Sequence, residues 1–214
     1  MSSRRDPIGK SAKRWIKRYR RYREVGTALN HKIIDALVDG DVIEVAARAL
    51  GLGAHGQLIL DSEDELSVLM DFALYEVRQE GKSLVEIYRE QHGGVNHTER
   101  VLLDAMVEAR TGLFLVEDID PTRHFLTLRD VIGQREPLYL VDINFSRTVW
   151  SGLFFFFRPI QVEDFVMTSG AAFLFLGDVE RRLRRTWEKA KNSADRYVRF
   201  FKLSKRIGVP ATFV

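Results

Sequence analysis

The spacing of apolar residues changes at Gly112, and this change limits the fold more than any other feature. Before it, apolar residues recur every three or four positions, as on helices that bury one face. After it, stretches rich in Leu, Phe, Val and Ile alternate and are cut by turn signals, as in strands. Helices first and strands second describe an α+β chain rather than an alternating α/β one. Three regions follow: a helical region at 1–111, an antiparallel sheet region at 112–178, and a basic helix with its tail at 179–214.

The first helix is expected from about Ser11 to Asp39. Trp15, Tyr19, Tyr22, Gly26, Leu29, Ile33 and Ala36 form its seam, in alternating steps of four and three. Asp41 with Glu44 opens a second helix, and Gly51 closes it as a left-handed cap. The pairs Ser62/Glu65, Ser83/Glu86 and Asn96/Glu99 repeat that opening signature and start helices at about 63–79, 84–91 and 97–110. Strands are expected at about 113–119, 124–132, 138–144, 149–158, 162–168 and 171–176, with turns at Arg158-Pro159 and Ser169-Gly170. Short sequential links imply antiparallel neighbours, hence a meander or small barrel. Phe154 to Phe157 is apolar on both faces, so a helix or a partner subunit must cover one of them. The last helix is expected from Val179 to about Arg206, with Leu183, Trp187, Ala190, Ala194, Tyr197 and Phe201 as its seam.

The formal net charge of +3 hides an uneven layout. Residues 1–23 hold ten Lys/Arg and one acid, 179–214 hold eleven and three, and 24–178 hold twelve and twenty-six. Two basic ends thus flank an acidic body. Basic helix faces interleaved with aromatics suit nucleic-acid phosphates, because Lys and Arg release condensed counterions. The candidate polyanion-binding residues are Lys13, Arg14, Lys17, Arg18, Arg20 and Arg21 on the first helix. On the last helix they are Arg181, Arg185, Lys189, Arg196 and Arg199. Trp15, Tyr19, Tyr22, Trp187, Tyr197 and Phe201 are the candidate interface residues. They are expected in helix–helix or helix–sheet seams, with the two end helices packed on each other or on a second copy.

Other motifs fail on context. The chain has no cysteine, which removes disulfides, thiolate metal sites and cysteine nucleophiles. GLGAHG at 51–56 has the glycines of a dinucleotide loop but follows a helix instead of a strand. Asp61, Glu63 and Glu65 lack the glycine that turns a calcium loop. His92 and His97 lack metal-ligand spacing. Period-2 counting places Asp118, Asp130 and Asp142 on one sheet face, where three carboxylates could hold a divalent metal for hydrolysis. A one-residue slip would scatter them.

The sequence therefore reads as a non-enzymatic binding or assembly module whose basic end helices dock a polyanion, foremost nucleic acid. One alternative is a structural subunit of a larger assembly, with Phe154 to Phe157 as an interface. A second is a metal-dependent hydrolase using the sheet aspartates. No cofactor or resident metal is expected. The apolar run at Leu153 to Phe157 is far short of the roughly 18 residues of a membrane-spanning helix, and a cytoplasmic homo-oligomer or assembly subunit is anticipated.

Overall fold

The computed structural model of the chain describes residues 12–54, 57–133 and 136–209; Ser11 and the side chain of Lys13 lie outside the described set. The helical region comprises α1 (Ala12–Leu37), α2 (Gly40–Leu50), α3 (Glu63–Tyr75), α4 (Leu84–Gln91) and α5 (His97–Glu108). Their ends follow local chemistry. Asp39 accepts a hydrogen bond from Val42 N at 2.9 Å, and Gly51 closes α2 at φ 79°. Ser83 and Glu86 form a complete capping box, and Asn96 accepts from Glu99 N at 3.0 Å. Two short hairpins interrupt the helices, β1 (Gly53–Ala54) with β2 (Gln57–Leu58) and β3 (Arg78–Gln79) with β4 (Lys82–Ser83). The second hairpin is why α3 stops at Tyr75 rather than near 79.

The strands β5 (Gly112–Asp120), β6 (Phe125–Asp130), β7 (Leu138–Val141), β8 (Phe154–Val162) and β9 (Phe165–Phe175) close into a barrel, in the order β5-β6-β7-β9-β8. The chain is α+β with a small barrel, and the barrel is mixed: β7 and β9 pair in parallel at Leu140 and Val166. A four-residue helix, α6 (Phe145–Thr148), carries the chain from β7 towards β8, so these sequential strands are not neighbours. The first barrel strand bonds the second and the fourth, the third runs parallel to the fifth, and a helix lies between third and fourth. This is the connectivity of an OB-type Greek-key barrel.

Two expected turns lie inside strands. Arg158-Pro159 sits at a register shift in β8, where proline's missing N–H is tolerated. Gly170, at φ 131°, lets β9 continue past Ser169 as one strand. The true hairpin turn is at Glu163–Asp164, with Glu163 at φ 52°.

Alternation divides the phenylalanine run between two cores. Phe155 and Phe157 fill the barrel with Val116, Leu126, Leu140 and Leu174. Phe154 and Phe156 join Phe173 and Phe175 in the core shared with the helices. Phe156 stacks on Phe200 with ring centroids 4.1 Å apart and planes 7° from parallel. All four residues are at most 2% exposed, so the expected subunit interface at Phe154 to Phe157 is instead interior. Burying each such ring contributes about 1.5–3 kcal/mol.

The last helix is also two. α7 (Glu180–Glu188) and α8 (Ser193–Ile207) are separated at 189–192. Asn192 accepts from Asp195 N at 2.8 Å and Asp195 accepts from Lys191 N at 2.9 Å, which starts a new helix. The seam spacing runs through this break as if the helix were continuous. The end helices dock on different partners: α1 on α4, α5 and β7, and α8 on α2, α7 and β9.

Candidate nucleic-acid interface

α1 is fastened to the barrel by its aromatic seam. Trp15 and Tyr22 pack on Phe165 with ring centroids 5.6 and 5.9 Å apart. Tyr22 donates to Glu163 Oε1 at 2.7 Å, and Tyr19 lies 3.4 Å from Asp142 Oδ2. Burial, then the nearby Asp142 charge, pushes the Tyr19 hydroxyl up to about 12. All three aromatics are buried, at 7%, 7% and 3% exposure.

With the seam inward, the cations divide by position. Arg14, Lys17, Arg20 and Arg21 are exposed, although Arg21 also donates to Thr98 Oγ1 at 2.6 Å. Arg18 is half-buried and committed: it pairs with Glu163, sits 2.6 Å from Asp164 Oδ1 and covers the Phe165 ring. On the C-terminal helices, Arg181, Arg185 and Lys189 are exposed. Arg196 lies with Cζ 4.0 Å from the Trp187 ring, and Arg199 donates to Asp195 at 2.9 Å. Trp187 is half-buried, whereas Tyr197 and Phe201 are core residues. Lys205, which sequence reading left out, bridges the acids of the calcium-like segment, pairing with Asp61 at 2.6 Å and with Glu65.

The barrel adds residues that charge runs alone could not reveal. Turn 121–124, between β5 and β6, ends with His124 at φ 58°. Its Nδ1 lies 3.3 Å from Ser146 Oγ on α6. Desolvation, then the fields of Arg147 and Arg20, lowers the His124 pKa. Cations of both α1 and α6 thus act on this turn. Trp150, three residues after Arg147, is 51% exposed. Arg123 in the same turn is already held by Asp120 and lies over the Phe125 ring at 4.8 Å. The readable signals were modest: a histidine closing a hairpin turn, and a lone tryptophan after a short polar helix.

The sheet aspartates do not assemble. A register shift at Glu117 places Asp118 opposite Thr127, while Asp130 pairs with Phe114 and caps the turn at Ile132 and Gly133. Asp142 is 7% exposed and accepts from Asn144 N and Phe145 N at 3.0 and 2.9 Å, capping α6. Among the described residues no three His, Asp or Glu side chains form a group able to hold a metal ion. Nor, among them, is any helix long and apolar enough to cross a membrane.

Fold and surface together define an α+β protein in which a basic helix is strapped across an OB-type barrel. The chain belongs to a family of unknown function (DUF7986), whose model matches residues 13–214. No curated protein and no solved structure matches it.

Proposed function

We propose that the protein docks nucleic acid on the α1 face and the barrel end beside it. The observation that carries this reading is the exposed series Arg14, Lys17 and Arg20, continued at the barrel by the exposed Arg147. Cations held on a rigid helix by buried aromatics meet phosphates without first ordering the chain. Trp150 supplies an exposed ring where bases can stack, worth about 1–3 kcal/mol per base. Barrels of this connectivity elsewhere bind oligonucleotides near the second and third strands and the loops after the first and fourth. A shared fold does not carry function, so the charge layout bears the weight.

Anisotropy of labelled single- and double-stranded oligonucleotides, titrated from about 25 to 200 mM salt, tests the reading. Log affinity should fall with log salt by about 0.7 per phosphate contacted on a single strand. Lys17→Glu with Arg20→Glu should weaken binding by at least about tenfold and flatten that slope, with the circular dichroism unchanged. Absence of binding at low salt, or binding indifferent to salt, removes the proposal.

A second reading, a subunit of a larger assembly, is favoured by a different surface. Val45, Leu58, Ile59 and Leu66 are exposed on α2, the first hairpin and α3. A native mass of one chain would set this reading aside.

A further inference from the structure

His124 is fixed at both backbone and ring. Its φ of 58° is left-handed, a conformation histidine enters more readily than most residues but only with support. Asp142 N gives that support by donating to His124 O at 3.0 Å. In the ring, Nδ1 lies 3.3 Å from Ser146 Oγ, and Ser146 Oγ donates to Ile143 O at 2.9 Å. A carbonyl only accepts, so the Ser146 proton is committed there and its oxygen accepts from Nδ1–H. The neutral ring therefore carries its lone pair on Nε2. Among the described residues nothing bonds that nitrogen.

Two arginines come to this place from different elements. Arg147 follows Ser146 on α6. Arg20 follows Tyr19, which lies 3.4 Å from Asp142 Oδ2, and Asp142 is the residue bonded to His124 O. Both arginines are exposed, and among the described residues neither has an ion pair. The acids nearby are already engaged. Asp120 accepts from Thr122 and pairs with Arg123 of the same turn. Asp142 caps α6, is 7% exposed, and is the group on which Arg23 acts. Tyr19 stays neutral, its hydroxyl pushed up to about 12. Desolvation, then the fields of Arg147 and Arg20, keeps the free ring short of a second proton, against a weaker pull from Asp120. Two unpaired cations beside a nitrogen that can become a third call for an anion.

We infer that Arg20, His124 and Arg147 form a phosphate subsite in which His124 Nε2 takes a proton from solvent as the anion arrives. While Nε2 bears a lone pair it repels a phosphate oxygen; once protonated it donates to one. The phosphate charge also offsets the arginine fields, so the ring holds its proton to higher pH in the complex than in the free protein. Binding and protonation then reinforce each other. Affinity is greatest where the free ring is already protonated, and declines as pH rises through the midpoint of the bound ring. The inference rests on the nucleic-acid reading for the source of the phosphate, a backbone diester or a strand-end monoester, and not for the chemistry of the subsite.

The test is anisotropy of labelled oligothymidylate, whose bases do not titrate in the range, on the full chain at fixed salt from about pH 5.5 to 8. Affinity should rise at least about fivefold towards the acid end. His124→Asn suits the left-handed backbone and should lose most of that gain. A gain equal on strands with and without a 5′-phosphate assigns the subsite to the backbone, and a gain confined to the phosphorylated strand assigns it to a strand end. In nuclear magnetic resonance of the histidine ring protons, with His124→Asn identifying the signal, inorganic phosphate should move the His124 midpoint to higher pH. Strands that bind with salt dependence but no pH dependence overturn the inference and leave the nucleic-acid reading standing, as does a gain undiminished in His124→Asn. If no strand binds at any pH that reading falls, and the phosphate titration alone decides: a His124 midpoint that phosphate leaves in place overturns the subsite.

Discussion

Asp120 fixes the shape of the turn between β5 and β6. Its Oδ1 accepts from Thr122 N, Thr122 Oγ1 and Arg123 N at 3.0, 2.6 and 2.9 Å. Partial burial pushes its carboxyl up, but the hydrogen bonds outweigh it and hold the pKa at about 2. A folded-state pKa below the unfolded one contributes stability above about pH 4 that is lost as pH falls towards 2. Asp120→Ala should cost about 1–2 kcal/mol in urea melts at pH 7, and the difference from the unaltered protein should shrink through that acid range. Arg158 is the opposite kind of residue, 2% exposed and enclosed. Arg158→Ala strands Glu76 and Asp71 together and should cost about 3–5 kcal/mol in the same melts. Nothing in the sequence near Arg158 marks it, because its partners, Asp71 on α3 and Glu76 just after it, lie more than eighty positions earlier. The capping residues Ser83 and Asn96 were legible for the converse reason: each satisfies backbone groups only three positions away; the second helix, expected to open at Asp41, is instead capped by Asp39.

Among the elements, α1 connects the barrel to the surface proposed for nucleic acid. Its seam was readable because helical spacing alone puts Trp15, Tyr19 and Tyr22 on one side. That the seam meets Phe165 of β9 was not, since the contact joins positions about 150 apart. Trp15→Ala should speed amide exchange over the first turns of α1 and leave α3 and β8 protected. It should also lower oligonucleotide affinity although no cation is removed. Unchanged exchange would mean that Arg18 and Tyr22 alone hold the helix down. Strand pairing was the least legible level. One bulged residue, Glu117, was enough to separate Asp118 from Asp130 and Asp142. The parallel pair β7–β9 depends on a four-residue helix too short to leave a periodic signal. The break between α7 and α8 was hidden because Ala190, inside it, and Ala194, just after it, keep the seam's spacing across it.

At the scale of the whole molecule, one core runs from Trp15 through the helices and the outer barrel wall to Leu203. The change of pattern at Gly112 thus separates kinds of secondary structure that are packed together. Calorimetry should show a single transition with matching calorimetric and van't Hoff enthalpies. Two resolved transitions would mean that barrel and helices unfold separately. The acidic body and basic ends are partly neutralised within the fold, through Arg18 with Asp164 and Lys205 with Asp61. Among the described residues, Arg14, Lys17, Arg20 and Arg21 on α1 and Arg181, Arg182 and Arg185 on α7 stay exposed. The double-faced strand β8 has a further consequence during synthesis. Phe156 and Phe173 emerge from the ribosome before α8, whose Phe200 and Phe201 cover them. At about 5–20 residues per second, translation from Leu176 to Ile207 leaves that wall uncovered for roughly 2–6 s. A chain held at Leu176 should therefore show this aromatic wall to an apolar dye, and the full chain should not.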